Sequence, residues 1–497
     1  MNCYLGVDIG TTNLKAAVFT VEGEMLAFSS APNINHHPRP DYGEFDMEEI
    51  WAGLCKCIRE VVDLVGAERI KGVGVSSMAE SGVPLDADGN VLYPMIAWYD
   101  NRTEPQMEEL GRNLGRREIY QITGQNLGPK FGLCKMMWIR ENHPEALEQM
   151  AHWLSTEDYI IYRLSGEFAT DYTMAGRTMA FDVTKLSWSE KMLSQAGVSP
   201  EVMPRAYPGG AKVGEVHEKA AGETGLLPGT AVVTGGHDHC CAAVGINIFE
   251  DGAVLDSMGT AETLMIATDQ LMLNDLSFEK SYTVYPHCGK RLYRVMAPGS
   301  GPGVVIDWIF RNLGADLEGK GAQNGTSRYT EMERVIGEKS GRGLWFYPML
   351  RGDLKNAFAG ATFRGVRDFH DRGDLIAAAF NGLIYESKQN MDTMHEVFGE
   401  SFDRCRVVGG VSKSDYIMQK KADIFKNRME VPINHESACF GAALLAAIGV
   451  GELSFDDMGR FYHCDRAFEP RSEEDYEQDY ETYLRNRAAV LALYEEE

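Results

Sequence analysis

One internal echo constrains this chain more than any other feature. Near the start it reads Leu5-Gly6-Val7-Asp8-Ile9-Gly10-Thr11-Thr12, and past the middle Val254-Leu255-Asp256-Ser257-Met258-Gly259-Thr260-Ala261-Glu262. Each copy is an apolar run, a Gly-Thr turn and a second apolar run, at residues 14–19 and 263–267, which is the pattern of a β-hairpin. Gly10 and Gly259 stand 249 residues apart in a chain of 497. An offset of half the chain predicts two similar domains, each opening with a hairpin. Length alone, at about 150 residues per domain, allows two to four.

The segments between the echoes alternate strand and helix patterns. Met47, Ile50, Trp51, Leu54, Ile58, Val61, Val62 and Val65 form one apolar stripe at steps of three and four. Asp46 ahead of it, with Glu49 three residues on, reads as an N-terminal cap. Strands are expected at 4–7, 14–19, 25–28, 70–75, 232–234, 405–408 and 429–432. Further helices are expected at 133–141, 158–164, 302–310, 375–397, 414–425 and 437–448. Residues 316–330, polar and Gly-containing, read as a surface loop. The acidic tail from 472 reads as a surface helix. Strands joined by helical crossovers predict an α/β architecture.

Composition narrows the function classes. Hydrophobic residues at 44% and charged residues at 24% are enough to build sizeable cores. The net charge of −25 argues against a duplex-binding protein, which needs a basic face to displace counterions. No stretch approaches the roughly 20 apolar residues of a membrane span, and the N-terminus lacks a basic segment followed by an apolar one. Ten cysteines without a C-x-x-C read as free, buried thiols in a cytoplasmic protein.

Three turns carry candidate chemistry. In Asp8-Ile9-Gly10-Thr11-Thr12-Asn13 a carboxylate ends a buried strand, and a Gly lets backbone N–H groups approach a polyphosphate closely. Asp8 beside such a nest suits Mg²⁺; alternatively it caps its own turn. Gly259-Thr260 repeats the device. Two such hairpins facing each other across a cleft would grip a nucleoside triphosphate from both sides. Gly409-Gly410 follows a strand and precedes a helix, the place where open α/β sheets bind ligands. Gly235-Gly236-His237-Asp238-His239 puts a carboxylate at a strand end, where it can take the proton of an attacking hydroxyl. For the two histidines a structural role and metal ligation are both open, and no further ligand at zinc-like spacing supports the second.

In combination these segments resemble the FGGY family of carbohydrate kinases, within the actin, sugar kinase and heat-shock chaperone superfamily. The resemblance covers about residues 4–450 in order. It runs through the segments above, Trp98-Tyr99-Asp100-Asn101-Arg102-Thr103, Gly409-Gly410-Val411-Ser412-Lys413-Ser414 and Gln419-Lys420-Lys421-Ala422-Asp423. It implies two ribonuclease-H-like (actin-like) α/β domains of similar topology facing a central cleft. Residues 1–248 would bind sugar and hold the base, and residues 249–497 would bind ATP. It implies that Asp8 organises Mg²⁺ and that Thr11, Thr12, Asn13 and Lys15 belong to the first phosphate hairpin. Gly259 and Thr260 would form the second, and Gly409, Gly410 and Ser412 the adenosine motif. Asp238 matches the catalytic base. Glu80, Trp98, Lys130 and His239 fall on the sugar side, and Asn101-Arg102 resembles the family's polar pair after the tryptophan. The implied substrates are Mg-ATP and a small sugar or polyol, with no nucleic acid or membrane partner, and a homodimer is an allowed assembly.

The chain also departs from individual branches. Glycerol kinases carry an Arg where this chain has Ala79, and a Tyr where it has Lys130 between Pro129 and Phe131. Xylulokinases typically have Met-His at Ala79-Glu80, and His237 is similar to the branch acting on deoxyketohexoses. Lys130 keeps an aldonate substrate open. A non-catalytic sugar or nucleotide sensor on the same fold is the other alternative, against which Asp8 and Asp238 speak.

Overall fold

The computed structural model describes residues 2–494, apart from 250–251, 259–261, 290–291, 298–301, 338, 340, 342, 351, 353–358, 400–401, 434–435 and 472–475. The chain divides into two compact units. The first holds residues 1–249, 267–295 and 436–463; the second holds 250–266, 296–435 and 464–497.

The N-terminal meander builds the first sheet. Its strands are β1 (Cys3–Ile9), β2 (Asn13–Thr20), β3 (Met25–Pro32), β4 (Ile70–Ser77), β5 (Lys212–Glu215) and β6 (Ala231–His237). They lie in the order β5-β6-β4-β1-β2-β3. β1 pairs antiparallel with β2 and parallel with β4, β6 runs parallel to β4, and β5 closes the edge antiparallel to β6. Every residue of β1 is buried, as a strand covered on both faces requires. The predicted amphipathic helix runs Met47–Val65, with the Asp46 side chain accepting from the Glu48 and Glu49 N–H groups. Helix Ser437–Gly449 lies so close to the sheet that a Cβ on Gly6 would fall 1.8 Å from the Cys439 carbonyl oxygen. A Cβ on Gly74 would fall 2.0 Å from that of Ala442, so only glycine admits this contact.

The second unit repeats the plan. Its strands β7 (Ala253–Met258), β8 (Glu262–Thr268), β9 (Arg404–Val408), β10 (Arg428–Pro432) and β11 (Cys464–Phe468) follow the order β8-β7-β9-β10-β11. The pairings are antiparallel, parallel, parallel and antiparallel. Read as β2-β1-β4-β6-β5, the first sheet gives the same succession, so the echo in sequence is an echo in topology.

One segment differs from expectation. Residues 316–330 are not a loop: helices Leu317–Asn324 and Arg328–Ile336 occupy the region. Ser327 starts the second by accepting from the Thr330 N–H, and Leu317, Gly321, Tyr329 and Met332 are buried beneath a polar exterior. The tail helix, Glu477–Ala492, buries Tyr480, Tyr483 and Val490, and the Tyr483 hydroxyl donates to Glu386 at 2.7 Å. It is a surface helix, as the sequence reads it, anchored by aromatic side chains on one side. All ten cysteines are free thiols, and all but Cys464 are buried. Among the described residues no helix is long and apolar enough to cross a membrane.

Candidate active site

The chemistry-bearing side chains of the first unit gather at the ends of β1, β4 and β6. β1 sets Asp8 in register with Lys15 of β2 and Ser76 of β4. The Ser76 hydroxyl donates to Asp8 Oδ1 at 3.0 Å. Burial, and then the charge of Asp238, push the Asp8 carboxyl up to about 7, against the pull of Lys15. Such a carboxylate gains from a nearby cation, and hard oxygen donors suit Mg²⁺. The residues present therefore fit that ion.

The turn after β1 is braced by Asn33. Its Nδ2 donates to the Gly10 carbonyl at 2.9 Å, and its N–H donates to the Thr12 carbonyl at 2.8 Å. Trp98 Nε1 donates to Thr11 Oγ1 at 2.9 Å, which joins the expected sugar-side tryptophan to the phosphate hairpin. Thr12 and Asn13 are exposed. Lys15 Nζ stands 2.7 Å from Glu436 Oε2, so an acid already holds the expected phosphate lysine.

Asp238 begins helix Asp238–Gly245 directly after β6. The β6–β4 pairing shifts register between Thr234 and Gly236, and Gly236 has φ of 136°. A Cβ there would fall 2.6 Å from Thr173 Oγ1, so this bend requires glycine. The His237 N–H donates to Thr173 Oγ1 at 2.8 Å, and that hydroxyl donates to Asp171 Oδ1 at 2.8 Å. At the helix terminus, Asp238 Oδ1 accepts from the His239 N–H at 2.6 Å, and His237 Nε2 lies 3.1 Å away. Burial pushes the Asp238 carboxyl up to about 6, against the pull of the His239 N–H. Burial pulls both imidazoles down, His239 to about 3 and His237 well below its ordinary value, so both rings are neutral near pH 7.

Glu80 sits in the left-handed region, φ 65°, a conformation that costs a non-glycine residue of order 1–3 kcal/mol and collects at functional sites. Its carboxylate pairs with Arg177, and Lys130 Nζ lies 3.6 Å away. Burial works to raise the Glu80 pKa, but Arg177 and then Lys130 outweigh it and hold the group at about 2. Arg177 also donates to Gln125 Oε1 at 3.0 Å and lies 5.1 Å from the centre of the Tyr285 ring. Lys135, fully buried, donates to the Glu80 carbonyl at 3.1 Å and Ser81 Oγ at 3.2 Å, and burial pulls it down to about 7. Arg102 pairs with Asp100 and Glu44 and so braces its own loop.

The remaining predicted residues lie elsewhere. Gly259 and Thr260 fall outside the described residues. Gly409 joins β9 to a 3₁₀ turn that begins at Gly410, where Ser412 Oγ donates to the Gly409 carbonyl at 2.8 Å. Arg177, Lys135, Tyr285 and Arg294 escaped the sequence reading. None stands in a recognisable spacing, and only long-range folding brings them to Glu80 and His237. His237, Asp238 and His239 cluster tightly, as do Cys240, His287 and Cys288. Arg294 donates to Cys240 Sγ at 2.8 Å and lies 3.3 Å from His237 Nδ1, so a fixed positive charge stands between the two clusters and opposes a metal ion in either.

A family model described as the N-terminal domain of the FGGY family of carbohydrate kinases matches residues 3–245, and its C-terminal counterpart matches residues 254–450. Xylulose kinase of Bacillus subtilis is 28% identical over 457 residues, covering 91% of this chain and 89% of that protein. Gluconokinase of the same organism is 26% identical, covering 91% and 88%. The crystal structure of xylulose kinase from Rhodospirillum rubrum superposes with a TM-score of 0.89 at 24% identity over 99% of each chain. That likeness shows the same two-domain α/β fold.

Proposed function

We propose, for a chain that belongs to the FGGY family of carbohydrate kinases, that Asp238 is the general base that accepts the hydroxyl proton of a small ketose or related polyol. Members are phosphotransferases that use ATP and act on hydroxyl groups of sugars and polyols, and this chain is one of them. The observation that carries the finer reading is Asp238 itself. It is a carboxylate at a helix N-terminus, raised by burial to about 6. A base with that pKa is mostly ionised at neutral pH and still basic enough to draw a proton in the transition state.

The other roles follow the resemblance. Glu80, Trp98, Lys130 and His239 are assigned to the sugar, within residues 1–248. Thr11, Thr12, Asn13 and Lys15, with Gly259 and Thr260, are assigned to the phosphates, and Gly409, Gly410 and Ser412 to the adenosine, so residues 249–497 carry most of the ATP contacts. Asp8 would hold Mg²⁺, which when bound neutralises phosphate charge. Arg177 and Lys130 hold Glu80 ionised, ready to accept hydrogen bonds from substrate hydroxyls. A cytoplasmic location fits a protein whose ten thiols are free.

One observation favours an aldonate as the second reading. Two cations, Arg177 and Lys130, face the single Glu80 carboxylate, leaving positive charge for an acidic substrate group. Coupled ADP release with Mg-ATP against ketopentoses, ketohexoses, deoxyketohexoses, polyols and aldonates separates the readings. A flat panel with ATP binding intact overturns both. Two predictions attach to this site. The kcat/KM for the sugar will fall as pH drops through about 6, because only ionised Asp238 accepts the proton; activity flat down to pH 5 removes Asp238 as base. Asp8→Ala will raise the Mg²⁺ concentration needed for half-maximal ADP release, and an unchanged titration counts against Asp8.

A further inference from the structure

The strand that leads to Asp238 carries a bulge. β6 and β4 pair Thr234 with Val75 and Gly236 with Ser76, so Gly235 is an extra residue with no counterpart on β4. A Cβ on Gly235 would fall 2.1 Å from the Val75 carbonyl oxygen, so the bulge requires glycine. Bulges are rare in parallel pairings, collect beside active sites and re-aim the chain that follows them. Here that chain is Gly236 with φ of 136°, then His237 and Asp238. Two consecutive glycines restrict their own backbone least, so the bend needs holding from outside.

Side chains from two other segments hold it. Glu157, in helix Thr156–Ser165, accepts from the Gly235 N–H through Oε1 at 2.9 Å. Thr173, in the short helix Tyr172–Gly176, accepts from the His237 N–H through Oγ1 at 2.8 Å. The Thr173 hydroxyl proton goes to Asp171 Oδ1 at 2.8 Å. Asp171 is itself fixed by the Thr173 and Met174 N–H groups, each at 2.8 Å. With its proton committed to Asp171, the hydroxyl turns a lone pair to His237. Glu157, Asp171 and Thr173 are all fully buried. Burying such polar groups is costly unless they are hydrogen-bonded, and here they serve the two main-chain N–H groups that flank Gly236.

We propose that Thr173 and Glu157 are positioning residues for the base: they clamp the chain on either side of Gly236 and so fix where helix Asp238–Gly245 begins. This rests on Asp238 being the base. The link from clamp to carboxylate is main chain throughout. His237, whose N–H is held, directly precedes Asp238, and Asp238 Oδ1 accepts from the next N–H, that of His239, at 2.6 Å. The carboxylate and its donor lie on one helical turn, so whatever places that turn places both. Without the Thr173 hydroxyl the His237 N–H loses its acceptor, and the bend at Gly236 is held from one side only. A displacement of about 1 Å at a reacting group costs on the order of a hundredfold in rate, even when its cause lies away from the chemistry.

The test uses the full chain with Mg-ATP and the sugar that the substrate panel identifies. Thr173→Val keeps the shape of the side chain and removes the hydroxyl. Its kcat, measured well below its melting midpoint and corrected for the folded fraction, will fall about ten- to a hundredfold. The KM for ATP will stay as in wild type. Thr173→Ser, which restores the hydroxyl, will recover most of the loss. A role in stability alone would lower the midpoint of Thr173→Val and leave the kcat of the folded enzyme at the wild-type value, and that result overturns the proposal. So does a Thr173→Ser as slow as Thr173→Val. If Thr173→Val does not fold, Thr173→Ala removes the hydroxyl without replacing it and is read by the same criteria. Asp238→Asn, run alongside, separates the two layers. Near-wild-type turnover in that variant removes the base assignment, whereas its inactivity beside a wild-type kcat in folded Thr173→Val removes only the clamp.

Discussion

Asp238→Asn will keep its fold and lose at least about 10²–10⁴ of kcat, the range that general-base assistance supplies. The amide has nearly the shape of the carboxylate, and its oxygen can still accept the His239 N–H. What disappears is the basic oxygen. Stability is expected to move the other way. The folded-state pKa of Asp238 lies near 6, above its ordinary value of 3.8, so the ionised carboxylate opposes folding at neutral pH. A neutral amide removes that cost, and the melting midpoint at pH 7.5 will equal or exceed that of wild type. Coupled ADP release and a thermal melt on the same sample check both halves. Turnover within a few-fold of wild type would discard Asp238 as base.

Lys421→Met will destabilise the protein by about 3–5 kcal/mol, the scale of leaving a buried charge without its partner. Lys421 Nζ is 2.5 Å from Glu262 Oε1 and pairs with Asp256, while the Ser387 hydroxyl donates to Glu262. All three charged side chains are within 3% of full burial. Methionine fits the space but leaves two carboxylates in the core without their cation. Their pKa values in the folded variant will then exceed the unfolded values. Carboxylates of that kind cost stability above their folded pKa, and the cost fades as pH falls. The variant will therefore regain stability between pH 7.5 and 5.5. Urea midpoints at the two pH values test it. Wild-type stability at pH 7.5, or no recovery on acidification, would contradict this account of the triad.

These two residues also mark what the sequence makes legible. Asp238 stands out because its neighbours are local: two glycines bend the strand end, and the carboxylate follows at once. The hairpins stand out for the same reason, since a Gly-Thr turn between apolar runs is a short-range signal. Lys421 lies in a family motif, but its partners Asp256 and Glu262 are 165 and 159 residues away, and no spacing announces them. Arg177 and Arg294 are hidden likewise. Each is a lone arginine in sequence, given meaning only by the pocket that buries it. The helices at Leu317–Asn324 and Arg328–Ile336 were obscured by their glycines and polar faces, because tertiary burial of a narrow stripe overrides weak propensity. Substrate identity belongs to the same class of hidden information, since Glu80, Lys130 and Arg177 converge from three separate segments.

The glycine-lined contact of helix Ser437–Gly449 with β1 and β4 sets a timetable for synthesis. Five strands of the first sheet have left the ribosome, and the sixth soon follows, some two hundred residues before the helix that covers Gly6 and Gly74 is translated. At about 5–20 residues per second, that interval is on the order of tens of seconds. Throughout it the nascent sheet exposes a face bare of its own side chains at those glycines and unable to close.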